Sequence, residues 1–135
     1  MPKTDVSFFQ EDDGSIPVLD WLEAVRRKND RAFRKCYALI NLLRQYGSEL
    51  RRPRADYLRD GVYELRTRIG NVNYRILYGF VGKDAAILAC GLTKQKAVPD
   101  KEIDRAMDRM ERYMKSPEKH RYVEEERNGE DKRRD

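Results

Sequence analysis

The sequence is poor in the residues that build metal centres and cross-linked scaffolds. Among 135 residues there is one histidine, His120, and there are two cysteines, Cys36 and Cys90. The cysteines form no Cys-x-x-Cys pair, and one histidine does not complete an ordinary zinc site with them. No metal or other cofactor is expected, and two free thiols fit a reducing compartment. No run of about 18 apolar residues is present, so nothing reads as a membrane span. The opening MPKTDVSFFQEDD lacks the charged-then-apolar pattern of a signal peptide. The expected location is the cytoplasm. No internal repeat is visible.

What the sequence has in quantity is charge. Charged residues make up 39% and the net charge is +5. After Lys115 there are six basic and seven acidic residues, which leaves +6 on residues 1–115. A basic folded body is the electrostatic footprint of a nucleic-acid binder, although basic proteins of other kinds are common. The length suits one domain, expected over residues 1–117. Residues 118–135, almost all polar, read as a charged, flexible tail.

The hydrophobic pattern orders the chain. Val6, Phe8 and Phe9 mark a first strand over Asp5–Gln10. Ser15 as cap and Pro17 in the first turn predict a helix carrying Val18, Leu19, Leu22 and Val25. Asp30 is the expected cap of a second helix, whose stripe is Phe33, Cys36, Tyr37, Ile40 and Leu43 and whose end is Gly47. With almost no loop between them, the two should form an α-hairpin. Ser48–Asp60 reads as a connector rich in arginine, including Arg54, which suits equally a nucleic-acid backbone, solvent or a partner interface.

Two alternating runs then flank Gly70-Asn71, the signal of a hairpin with a two-residue turn. In that register Tyr63, Leu65, Thr67 and Ile69 face Tyr78, Ile76, Tyr74 and Val72 on one apolar face. The opposite face carries Glu64, Arg66, Arg68, Asn73, Arg75 and Leu77, with Arg66 directly across from Arg75. Like charges so placed destabilise a sheet by up to about 1 kcal/mol. The pair makes sense if an anion binds between the guanidinium forks, which match phosphate oxygens. It is equally read as a solvated face neutralised by Glu64. Ala85–Thr93, apolar on both faces, is expected to be a covered central strand. Pro99 opens a last helix with the stripe Ile103, Ala106, Met107, Met110 and Met114, stopped at Ser116-Pro117. The order β-α-α-β-β-β-α predicts an α+β domain: an antiparallel sheet with an N-terminal α-hairpin and a C-terminal helix.

The stretch GVYELRTRIGNVNYRILYGF, followed by ILACGLTKQKAVP and EIDRAMDRMERYM, resembles the RelE/HigB superfamily of toxins, and within it the phage-derived HigB-like branch of type II toxin–antitoxin systems. The likeness spans about residues 57–123, and its strength lies in the order and spacing of the segments. It implies a microbial-RNase-like sheet and a metal-free endoribonuclease that cuts mRNA at the ribosome. It also implies a cognate antitoxin, often a helix-turn-helix DNA-binding protein. Some relatives act on gyrase instead, and a non-catalytic RNA-binding or regulatory protein is a further alternative.

Metal-free RNA cleavage requires removal of the 2′-hydroxyl proton, stabilisation of a phosphorane-like transition state and protonation of the leaving 5′-oxygen. Arg66 and Arg75 are the expected phosphate clamp. Lys94, at the end of the Gly-Leu-Thr-Lys segment, would add charge or proton transfer, or is simply a solvated lysine. By the resemblance His120 and Tyr122 are candidate acid–base partners from the C-terminal segment; otherwise they belong to a frayed tail. Arg54, Arg68, Asn73 and Lys96 are candidate RNA contacts. Tyr78 reads as a core aromatic. Relatives often carry His where this chain has Cys90, which reads as a buried strand thiol.

Overall fold

The hairpin forms in the register that the alternation predicts. In the computed structural model, which describes residues 3–94 and 96–124, β3 (Val62–Ile69) and β4 (Val72–Phe80) pair antiparallel. Ile69 faces Val72, Leu65 faces Ile76, and Arg66 faces Arg75. Gly70 has a φ of 59°, which only glycine adopts freely at this turn position. The remaining elements are β1 (Asp5–Phe9), α1 (Pro17–Lys28), α2 (Asp30–Tyr46), β2 (Ala55–Arg59), β5 (Ala85–Thr93), α3 (Asp100–Lys115), α4 (Pro117–His120) and β6 (Arg121–Tyr122). A single 3-10 turn, Gly47–Glu49, follows α2.

The strands form one six-stranded sheet in the order β2-β3-β4-β5-β1-β6. The architecture is α+β as expected, but the sheet is not purely antiparallel. β1 lies parallel to β5 and antiparallel to β6. Two further strands lie where none was expected. β2 occupies the second half of the predicted Ser48–Asp60 connector, and β6 lies within the predicted tail. Residues 118–124 therefore belong to the folded body; residues 125–135, the rest of that tail, lie outside the described residues.

Helices cover both faces. α1 and α2, joined through Asn29, bury Val18, Leu22, Leu39, Ile40 and Leu43 against Phe8, Leu65, Ile76, Tyr78 and Leu88. Each such side chain contributes about 1.5–3 kcal/mol when fully removed from water. α3 packs Ile103 and Ala106 on the other face, against Val62, Leu77, Ala89, Cys90 and Leu92. The doubly covered reading of β5 is correct. Of the methionine stripe, Met107 and Met110 pack on this second core, whereas Met114 is exposed.

Both predicted helix caps are displaced. α1 starts after Ile16 with no side-chain cap, because Ser15 bonds to Asp13 within the preceding turn. α2 is capped by Asn29, not Asp30: Asn29 Oδ1 accepts from the Ala32 N–H at 3.1 Å.

Candidate functional site

The face of the sheet that α3 covers at Val62, Leu77 and Leu92 continues toward the Gly70-Asn71 turn as Glu64, Arg66, Arg68, Asn73 and Arg75. Strand alternation puts these side chains on one face. Of these, Arg66, Arg68, Asn73 and Arg75 border an open cleft of about 620 Å³. Its walls are Lys35, Ala38, Leu39 and Leu42 from α2, Pro53 and Arg54 from the segment before β2, Arg66, Thr67 and Arg68 from β3, and Asn73 and Arg75 from β4. Five cations and no carboxylate line it. A second cleft, of about 740 Å³ between β1, α2 and Glu124, mixes Lys3 and Arg44 with Asp5 and Glu124. A third is lined by Glu11, Asp12, Asp13, Asp20 and a single cation, Arg109. Of these three, the first presents a wall of one charge.

The structure thus brings together Arg54, Arg66, Arg68, Asn73 and Arg75. Lys94 and Lys96 adjoin them through backbone bonds. The Lys94 N–H donates to the Asn73 carbonyl at 2.8 Å, and Arg75 Nη2 donates to the Lys96 carbonyl at 3.0 Å. Lys94 has a φ of 69°, a left-handed conformation that costs a side-chain-bearing residue about 1–2 kcal/mol. Both lysine side chains are exposed.

The two facing arginines are not equivalent. Arg75 is 8% exposed and its Nε lies 3.0 Å from Glu64 Oε1. The Arg66 side chain keeps 36% of its surface; its Nη1 is 3.4 Å from Glu64 Oε2, and its Nε donates to the Pro53 carbonyl. Glu64, only 4% exposed, sits between them with one oxygen toward each. Burial holds its carboxyl above the usual carboxylate range, against the pull of Arg75 and Arg66. The carboxylate accounts for the tolerance of the like-charge pair. Arg66 is the more accessible fork and Arg75 the buried one.

His120 and Tyr122 are not brought to this cleft. They lie at the β1–β6 edge, with β5 and β1 between them and β4. His120 is 5% exposed, its Nδ1 is 2.8 Å from the Gln10 carbonyl oxygen, and its ring stacks on Phe9 at 5.0 Å. Arg112 lies over the same phenyl ring at 5.1 Å, and both Arg109 and Arg112 bind Glu11. Tyr122 packs edge-on to Phe8 on the α1–α2 side. His120 is therefore neither a frayed tail residue nor a neighbour of the arginine pair.

Tyr78, 1% exposed, is a core aromatic stacked on Tyr63, and burial pushes its hydroxyl pKa up. Cys90, 3% exposed, lies under α3, where Arg109 Nη1 reaches its Sγ at 3.4 Å. Burial raises its pKa, and that of Cys36 is pushed up to about 12 by burial alone. Among the described residues no group of three His, Cys, Asp or Glu side chains is placed to hold a metal ion. No described helix is long and apolar enough to cross a membrane.

Sequence reasoning missed Lys35. One exposed lysine on a helix carries no signal by itself, but Lys35, Ala38 and Leu42 recur at helical spacing and form one wall of the cleft. Residues 20–111 match the model of a family described as phage derived protein, Gp49-like. That span contains every cleft residue and ends before His120 and Tyr122. No curated protein matches the chain.

Proposed function

The chain belongs to the Gp49-like family of phage-derived proteins, a toxin-like family related to RelE-type toxins, and from this we propose that it is the toxin of a type II toxin–antitoxin module that cleaves mRNA at the ribosome. The observation that carries the reading is the cleft whose lining has five cations and no carboxylate. The RNA's own 2′-hydroxyl attacks the adjacent phosphorus. The O2′–P bond forms, the P–O5′ bond breaks, one proton leaves O2′ and one reaches O5′. Arg66, the exposed fork, binds the scissile phosphate and takes up the charge that grows on its oxygens. Arg75 supports it from beneath, and Lys94 adds positive charge from the end of β5. Arg54, Arg68, Asn73 and Lys96 hold neighbouring nucleotides. Preorganised donors of this kind are typically worth about 10²- to 10³-fold each in rate.

The proposed partners are mRNA, the ribosome and a cognate helix-turn-helix antitoxin. The test is induction of the chain alone in a bacterium, followed by primer extension on an abundant mRNA. New cleavage sites that vanish when translation is blocked are expected. Growth arrest with intact mRNA would overturn the nuclease reading. It would favour a toxin that works by binding, for example on gyrase. That second reading draws support from the position of His120 and Tyr122, which leaves the cleft without the acid–base pair expected of them.

A further inference from the structure

A carboxylate beneath a phosphate-binding pair is at first sight out of place, because it competes with the ligand for the same guanidinium forks. Glu64 is not a surface acid that happens to lie near. It is 4% exposed, it projects from β3 two residues before Arg66, and its cross-strand neighbours are Leu77 on β4 and Asp56 on β2. Each of its oxygens addresses a different arginine: Oε1 is 3.0 Å from Arg75 Nε and Oε2 is 3.4 Å from Arg66 Nη1. The far side of each guanidinium is tied to backbone. Arg75 Nη2 donates to the Lys96 carbonyl, and Arg66 Nε donates to the Pro53 carbonyl. Each fork thus meets the shared carboxylate and a separate backbone carbonyl. A long, flexible arginine otherwise loses rotamer freedom each time it meets a ligand.

We propose that Glu64 is a positioning residue that sets the Arg66 and Arg75 guanidiniums in one fixed arrangement at the floor of the cleft before RNA arrives. The assignment rests on the reading of the cleft as a phosphate site. It differs from simple charge neutralisation in what it requires of the side chain. Neutralisation needs only a negative charge nearby. Positioning needs the charge and also the reach that lets one carboxylate meet two guanidiniums at once. Aspartate keeps the charge and loses a methylene of reach. Glutamine keeps the reach but replaces one acceptor oxygen with a donor nitrogen, which cannot accept from a guanidinium.

The experiment compares wild type, Glu64→Asp and Glu64→Gln by two readouts. The first is RNA cleavage together with binding of an RNA whose scissile 2′-hydroxyl is replaced by hydrogen. Both variants are expected to lose at least about 10-fold in cleavage while the dissociation constant stays within about threefold or tightens, since arginines freed from Glu64 still attract phosphate. Glu64→Asp cleaving like wild type would overturn positioning in favour of charge balance, and so would binding and cleavage falling together in both variants. The second readout needs no RNA. The arginine Nε–H resonances of Arg66 and Arg75 should be sharp and slow to exchange with solvent in the wild-type protein and broadened in Glu64→Asp, with the backbone spectrum otherwise retained. Unchanged arginine resonances would overturn the assignment. Broadened resonances in a protein that cleaves no RNA would instead leave Glu64 as the organiser of the pair and remove the nuclease reading alone.

Discussion

Arg66 and Arg75 face each other across one strand pair, yet substitutions at the two positions report different things. Arg66→Ala truncates a side chain that keeps 36% of its surface. It should lower RNA cleavage by about 10²- to 10³-fold while leaving the melting temperature nearly unchanged; full cleavage by a folded Arg66→Ala protein would remove Arg66 from the site. Arg75→Ala strands a buried carboxylate, and breaking a pair of that kind typically costs about 3–5 kcal/mol. Loss of activity there would say little about chemistry. Glu64 gives a pH test. Its carboxyl lies above the ordinary 4.5 because of burial, so the folded chain holds that proton more tightly than the unfolded chain. Between the two pKa values the folded state carries the extra proton. Stability from this group therefore falls as pH rises through the folded value and returns as pH is lowered. Urea melts should show wild type gaining on Glu64→Gln as pH drops from neutral toward 4.5, and a difference that is flat with pH would contradict the raised value. The two thiols make a simpler case. Burial keeps Cys36 and Cys90 protonated, so a thiol reagent should modify neither in the native protein and both in denaturant.

Among the elements, the β3–β4 hairpin was the most legible in sequence. Period-two alternation and Gly70-Asn71 specify one register, since a slip of one residue would turn Leu65 and Ile76 to the wrong face. β2 was hidden for the opposite reason. It is an edge strand that follows an arginine- and proline-rich stretch, and of its five residues only Ala55 is buried. Its pairing with β3 comes from its neighbour and not from its own pattern. Helix starts were legible only to within a residue: Asn29 and Asp30 are both good caps, and only the geometry of the Asn29 carboxamide decides between them. Asn29→Ala should cost about 1 kcal/mol, measurable as a lower melting temperature, and Asp30→Ala should cost less. The contact between β5 and α1 was not visible at all. Gly91 lies against the Trp21 indole so closely that an added Cβ would clash with the ring. Trp21 Nε1 in turn donates to Thr93 Oγ1 at 2.8 Å. Gly91→Ala is therefore expected to destabilise by about 1–3 kcal/mol and to alter the fluorescence of the single tryptophan; an unaltered emission spectrum would place Trp21 elsewhere.

At the scale of the whole molecule, five of the cations stand together in one cleft with no carboxylate in its lining. Lys35, Arg54, Arg66 and Arg68 are its four more accessible cations. If each meets one phosphate of a single strand, the logarithm of the RNA affinity should fall with the logarithm of salt at a slope of about −3, and Lys35→Ala should lower that slope by about 0.7. A slope near zero would exclude the cleft as the RNA-binding surface. Part of the candidate site was legible because β3 and β4 are adjacent in sequence. The wall from α2, and the separation of His120 from the arginines, depend on packing between distant segments. The parallel placement of β1 has the same origin and a further consequence, one of timing. β1 fits between β5 and β6, which follow it by about 75 residues or more and are made later. During translation the β3–β4 hairpin can form and α2 can settle on it, but Phe8 and Phe9 have no strand beside them until Ala85–Thr93 has emerged. Contacts so far apart in sequence form late and slowly. A nascent chain would thus carry the arginine cleft before its sheet is complete, and the sheet closes only after β5 and β6 have emerged.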